Sequence, residues 1–195
     1  MEIVNPNDSY DLLTKIVVAG SVEVGKTLFV KRIKYYSEGE KFDIQNSDKA
    51  YIPTIGRDFI IFNYKSKDKI IRTQLWDVSG QDRWDDTVHY LARGAGAILL
   101  FYNSFNRNTF LKAIKFYTDL SKSYPKAIYA LINAKYNLPI QTENNNDIVS
   151  DEEALEFANK NDIIFAHLSL FEKYETGINE LLGKIFLKYN ELSQN

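Results

Sequence analysis

The 195-residue chain contains no cysteine. Disulfides, thiolate metal sites, a cysteine nucleophile and prenyl or palmitoyl attachment to this chain are therefore excluded. Its two histidines, His89 and His167, lie far apart, with no metal-ligand spacing around them. Excess charge of either sign is also small. The formal net charge is −2, so a polyanion held by bulk charge, nucleic acid above all, is not an expected partner. The longest apolar run, Ala95 to Tyr102, is far too short to span a bilayer. Met1-Glu2-Ile3 is neither a myristoylation signal nor the start of a signal peptide. The expected location is the cytoplasm. No internal repeat and no Pro/Gly/Ser-rich linker divides the chain.

Hydrophobic residues make up 45% and charged residues 26%, a globular balance with enough chain for one well-buried domain. Apolar runs alternate with helical patterns, which predicts an α/β fold. Strands are expected over 14–19, near 58–64 and 70–77, over 97–103, 127–133 and 163–168. Helices are expected over 26–36, 109–123, 150–160 and 175–190, the last burying Ile178, Leu181, Leu182, Ile185 and Leu187. The second and third strands, joined by the short turn Lys65-Ser66-Lys67-Asp68, read as an antiparallel hairpin. Ser150-Asp151-Glu152-Glu153 reads as a capping box. The expectation is one doubly wound domain over 1–195: a six-stranded, mostly parallel sheet with one antiparallel strand, and about five helices on both faces.

Gly20-Ser21-Val22-Glu23-Val24-Gly25-Lys26-Thr27 fits G-x-x-x-x-G-K-[ST] in full, after a predicted strand and before a predicted helix. The glycines let the backbone close around a phosphate with successive N–H groups pointing inward, and the helix start adds positive potential. Lys26 would neutralise β- and γ-phosphate charge, and the Thr27 hydroxyl would ligate Mg²⁺. Candidate phosphate contacts are Gly20, Val22, Glu23, Val24, Gly25, Lys26, Thr27 and the next residue, Leu28.

Further along, Tyr51-Ile52-Pro53-Thr54-Ile55-Gly56-Arg57-Asp58-Phe59 is followed by Leu75-Trp76-Asp77-Val78-Ser79-Gly80-Gln81-Asp82-Arg83-Trp84. The second stretch closely resembles the WDTAGQERF signature of Rab proteins, and the first resembles the end of their switch I. Ala92-Arg93-Gly94-Ala95, Asn103-Ser104, Thr109-Phe110, Val149 to Ala154 and Phe157-Ala158 extend the likeness over nearly the whole chain. The sequence is therefore similar to Rab-like small GTPases of the Ras superfamily.

That resemblance implies a P-loop small G domain, with switch I at about 37–58 and switch II at about 77–93. It implies Mg²⁺ as cofactor, GTP as substrate and GDP as product. Thr54 would close over the nucleotide, its hydroxyl reaching Mg²⁺ alongside Thr27 and Asp77. Gly80 would offer a backbone N–H to the γ-phosphate, and Gln81 would orient the attacking water. Lys26, Thr54 and Gln81 are thus the candidate catalytic residues. Tyr51 matches the tyrosine near the γ-phosphate. Phe59, Trp76 and Leu91 fall where relatives present an effector-reading patch, with core packing an equal alternative. Effectors, exchange factors and GTPase-activating proteins are the implied partners of a monomer, and vesicle or membrane traffic the implied setting. Membranes would be reached peripherally, through partners or through a lipidated tail absent from this chain.

Four departures qualify the carry-over. Val22 stands where Ras proteins have Gly and many Rabs have Ser, which predicts crowding of the catalytic glutamine and slow hydrolysis. Glu23 stands where Gly is usual. The family reads guanine with N-K-x-D, but here the aligned residues are Ala134-Lys135-Tyr136-Asn137. Lys135 can still lie along a purine face. Asn137 offers one acceptor and one donor, leaving a buried mismatch against guanine worth roughly 1–3 kcal/mol, so xanthine nucleotide becomes an alternative ligand. A one-residue slip would let Asn133 take the bracing role that Ala134 lacks. The last base motif, S-A-K, has only Ser169 and Leu170 as counterparts. Finally, the stretch from Thr27 to Thr54 is longer than in the family, and the aromatic that covers the base has only Phe42 as a candidate. A pseudo-GTPase, a binding scaffold with little turnover, is the competing reading.

Overall fold

The computed structural model describes residues 2–4, 7–40, 54–135, 147–170 and 174–192. Within these, seven strands form one sheet: β1 Glu2–Val4, β2 Leu12–Gly20, β3 Arg57–Ser66, β4 Lys69–Val78, β5 Ala97–Tyr102, β6 Ile128–Lys135 and β7 Ile164–Ser169, in the order β1-β3-β4-β2-β5-β6-β7. Five α-helices cover it: α1 Lys26–Ser37, α2 Asp85–Ala92, α3 Arg107–Ser123, α4 Asp151–Lys160 and α5 Tyr174–Leu192, with a 3₁₀ turn over Asp82–Trp84.

The apolar runs explain the layering. Every residue of β5 is buried. Side chains alternate across a strand, so Ala97, Leu99 and Phe101 join Phe29, Ile33, Leu182 and Phe186 under α1 and α5. Ile98, Leu100 and Tyr102 join Val88, Phe110 and Ala154 under α2, α3 and α4. Such double burial is what a continuous Val/Ile/Leu run encodes in a parallel sheet. Each fully buried large side chain contributes on the order of 1.5–3 kcal/mol.

The doubly wound α/β expectation holds, with one strand more than expected. β1 pairs antiparallel with β3 through Ile3 and Tyr64. A three-residue segment is too short to show a period of two, so local pattern gave no signal for it. Because β3 alone runs against the rest, the single reversed strand stands as expected. The hairpin turn is tighter than expected. Ser66 pairs with Lys69, leaving Lys67 and Asp68 as the two-residue turn, with Lys67 at φ 55°. In α5 Phe186 rather than Leu187 is fully buried. Ser150 does cap α4, accepting from the Glu153 N–H at 3.1 Å. The box is only half closed, because the Glu153 carboxylate is held by both Arg107 Nη atoms at 2.6 and 2.8 Å.

The topology places the site. α1 leaves β2 toward one face of the sheet, whereas α2 leaves β4, the neighbour of β2, toward the other. The loops after β2 and β4 therefore diverge, opening a crevice beyond the carboxyl ends of the strands, where open α/β sheets place ligands.

Candidate functional site

The loop after β2 is shaped by its glycines. Gly20 has φ 140°, and a Cβ there would lie 2.3 Å from the Phe101 carbonyl oxygen. Gly25, at φ 89°, is the N-cap of α1 and supplies no capping side chain. The first N–H groups of α1 are thus left uncapped by a side chain, the arrangement an anion binds. Glu23, at φ 57°, takes the left-handed conformation that glycine adopts without cost.

Lys26 turns back over this loop. Its Nζ donates to the carbonyls of Gly20 at 3.0 Å and Ser21 at 2.5 Å, and it is 6% exposed. Burial pulls its pKa down to about 8; Asp77 opposes the shift, and the Lys112 charge adds to it. A buried ammonium hydrogen-bonded to two carbonyls would gain a directly bonded anion from a phosphate.

Thr27, Thr54 and Asp77 come from three separate segments and meet in one place. Thr27 Oγ1 donates to Asp77 Oδ2 at 2.6 Å and lies 2.7 Å from Thr54 Oγ1, which is itself 3.1 Å from Oδ2. The other carboxylate oxygen, Asp77 Oδ1, is buried without a hydrogen-bond partner among the described residues. Burial pushes the Asp77 carboxyl up, against the Thr27 bond and the Lys26 charge. Two hydroxyls and one carboxylate are hard oxygen donors, few enough to leave room for phosphate oxygens and water. That donor set suits Mg²⁺, which keeps several waters and takes few protein ligands. No cluster of three or more His, Cys, Asp or Glu side chains offers an alternative metal site among the described residues.

Gly80 presses against the phosphate loop. A Cβ on it would lie 2.3 Å from Ser21 C and Val22 N. Gln81 follows, half-buried, with its N–H 3.5 Å from Ser79 Oγ. The stretch after Thr54 is tied to this segment twice. Ser79 N–H donates to the Gly56 carbonyl at 2.9 Å, and Trp84 Cη2 would lie 3.5 Å from a Cβ on Gly56. Val22 is exposed, whereas Val24 is buried and Leu28 packs against the core beneath α1.

The described residues aligned with the base motifs lie at the ends of β6 and β7. Ala134 is buried among Val24, Leu168 and Leu170 on the α1 face. Asn133, one residue earlier in the strand, faces the other way. Its Oδ1 accepts from the Ser104 N–H at 3.3 Å, and its Nδ2 is buried unpartnered among the described residues. Among the described residues the partner of Asn133 is Ser104, not the phosphate loop. Lys135 and Ser169 pair at the ends of β6 and β7, and the carbonyl of the buried Leu170 accepts from Arg32 Nη1 of α1. Tyr51, Phe42 and Asn137 lie outside the described residues.

Phe59 stacks on Trp76 with ring centroids 4.8 Å apart, and Arg57 covers the Trp76 ring at 5.7 Å. Phe59, Ile55 and Ile61 are exposed beside them. Leu91 does not join this patch. It is 4% exposed and packs in the core, while its neighbour Tyr90 is 72% exposed. Sequence spacing could not separate the two faces of so short a helix. Pattern reading also missed Lys112 of α3, which reaches Asp82 at 2.7 Å, Asp85 at 2.8 Å and the Gly80 carbonyl at 3.3 Å.

A phosphate cradle at a helix start, a hydroxyl and carboxylate cluster for a divalent ion, and a glycine-led segment resting on the cradle define a P-loop nucleotide-binding protein. Comparison with known proteins narrows the class. A model of the Ras family matches residues 15–190. Over 187 residues the chain is 28% identical to Ras-related protein RABA1h of Arabidopsis thaliana, covering 92% of this chain and 77% of the relative. It is 29% identical to Ras-related protein Rab-5A of Dictyostelium discoideum, covering 89% and 79%. To Ras-related protein Rab-17 of Homo sapiens it is 28% identical, covering 87% and 77%. The chain belongs to the Ras family, as a Rab-like small GTPase. Among the described residues no helix is long and apolar enough to cross a membrane.

Proposed function

We propose that residues 1–195 form one G domain that binds Mg-GTP and GDP, hydrolyses GTP slowly, and recruits effectors in its triphosphate form, in vesicle or membrane traffic. Switch I is assigned to about 37–58 and switch II to about 77–93. The observation that carries this reading is the meeting of Thr27, Thr54 and Asp77 within 3.1 Å of one another, beside Lys26.

In this reading Lys26 and the α1 N-terminus hold the phosphates, and nucleotide oxygens replace the Gly20 and Ser21 carbonyls as partners of Lys26. Thr27, Thr54 and Asp77 hold Mg²⁺, which when bound would neutralise charge developing on the β- and γ-phosphate oxygens. Gly80 N–H meets the γ-phosphate, and Gln81 orients a water for in-line attack. Tyr51 adds a contact near the γ-phosphate. Lys135, Asn137, Ser169 and Leu170 form the base side. The exposed Val22 side chain crowds Gln81 and slows turnover. Phe59 and Trp76 are the effector-reading surface.

A second reading is favoured by Ala134, which puts a methyl group in an apolar cluster where a bracing amide is usual. A looser base side with an amide at Asn137 would accept xanthine nucleotide, or leave a scaffold with little turnover. Mass spectrometry of the nucleotide that copurifies with the protein, followed by single-turnover assays, separates the readings. Guanine nucleotide with measurable hydrolysis is the expected result. A protein that copurifies empty and binds neither GTP nor XTP would refute the switch.

A further inference from the structure

Lys112 sits in the second turn of α3, outside the P-loop, the metal cluster and the base side, and its sequence position gives no hint of a role. Its side chain is 15% exposed, whereas that of Asp82, which it reaches, is 94% exposed. One ammonium makes three contacts on a single segment: Asp82 Oδ1 at 2.7 Å, Asp85 Oδ1 at 2.8 Å and the Gly80 carbonyl at 3.3 Å. It also lies 5.5 Å from the Phe116 ring centroid, one helical turn further along α3.

The placement matters because the contacts bracket Gln81. The residue before it is fixed through its carbonyl and the residue after it through its carboxylate. Gly80 is meanwhile wedged against the Ser21–Val22 peptide, where even a Cβ would collide at 2.3 Å. The segment is thus clamped between the phosphate loop on one side and α3 on the other. An exposed pair such as Lys112 with Asp82 contributes little by itself. A sheltered ammonium with three acceptors on one short loop does more, because fixing backbone dihedrals is the main entropic cost of ordering a loop.

Resting on the GTPase reading above, we infer that Lys112 is a positioning residue for the water-orienting segment, holding Gly80 by its carbonyl and Asp82 and Asp85 by their carboxylates, on the two sides of Gln81. It touches neither nucleotide nor water. It acts through Gly80, Asp82 and Asp85, so that ordering of switch II depends on α3 as well as on the γ-phosphate.

The experiment uses the whole chain loaded with Mg-GTP, comparing wild type with Lys112→Met, Lys112→Arg and the double variant Asp82→Asn/Asp85→Asn. Single-turnover hydrolysis in Lys112→Met is expected to fall about tenfold or more, since small misplacements in a reacting geometry carry large rate penalties. GDP affinity should stay within about twofold, a loss in the chemical step alone. Lys112→Arg should recover most of the rate. Hydrogen exchange of amides 80–86 should speed up in Lys112→Met, while that of 26–37 stays the same. The double variant loosens the same clamp from its exposed side and should show both effects, which decides the matter where Lys112→Met misfolds. A Lys112→Met protein that hydrolyses GTP at the wild-type rate overturns the inference. So does equal loss of affinity and rate. Failure of the GTPase reading itself is seen in the wild type alone, as absent turnover. The exchange of 80–86 then decides, and unchanged protection in Lys112→Met overturns the clamp.

Discussion

Replacing Gly80 by alanine is the sharpest perturbation the structure offers. The new methyl would meet Ser21 C and Val22 N at 2.3 Å and the Ser21 carbonyl oxygen at 2.4 Å. Ordinary carbon contacts need about 3.5 Å, so roughly 1 Å of separation must be found. The obstructing atoms are backbone of the phosphate loop, itself fixed by Gly20 against Phe101, so no flexible side chain can yield. The Gly80–Gln81 segment must therefore lift. A misplacement of about 1 Å at a reacting centre costs on the order of a hundredfold in rate. The expected outcome is single-turnover GTP hydrolysis reduced by about that factor. GDP binding, which makes no use of a γ-phosphate contact, should change by less than about threefold, or ~0.7 kcal/mol. Rapid-quench measurement on Mg-GTP-loaded protein gives the rate, and fluorescent GDP displacement gives the affinity. A Gly80→Ala protein that hydrolyses within about twofold of the wild-type rate would show that the Gly80 contact with the loop is not the geometry in which reaction occurs.

Other outcomes can be checked alongside it. Lys26 has its pKa lowered to about 8 by burial, so the unfolded state binds the extra proton between that value and the ordinary lysine range. Nucleotide-free protein should therefore gain stability as pH rises from about 8 toward 10, by up to ~3 kcal/mol. Urea titrations at several pH values test this, and a Lys26→Met variant showing the same rise would count against it. Bound phosphate needs the ammonium charged, so nucleotide affinity should fall over the same interval. Val22→Gly should raise the single-turnover rate by relieving crowding at Gln81, and an unchanged rate in that variant would remove Val22 as the brake. Asn137→Asp should shift binding toward GTP over XTP in competition assays; no shift would place the base determinant elsewhere. Ser150→Ala removes the α4 cap bond to the Glu153 N–H and should cost about 1 kcal/mol, a fall of roughly 2–4 °C in Tm by calorimetry. A smaller fall would mean that the Arg107–Glu153 contact holds this helix end without the cap.

Local chemistry alone made several features legible in the chain. The phosphate loop could be read because Gly20, Gly25, Lys26 and Thr27 must stand at fixed spacing for a backbone to wrap an anion. The central strand β5 could be read because residues covered on both faces must be apolar throughout. The α4 start could be read because Ser150 reaches only its own helix. Features that need distant segments to meet were settled by packing. β1 exists only because β3 offers an edge. Leu91 and Tyr90 part company because α2 turns one side to the sheet and the other to water. Asn133 and Ala134 face opposite sides of β6, so one residue of register decides whether a side chain meets Ser104 or the α1-face core. The grip of Lys112 on Gly80, Asp82 and Asp85 joins segments far apart in the chain, and no local pattern encodes it. Periodicity and propensity act over one turn or one pleat. Packing across the sheet selects which of those local possibilities meet.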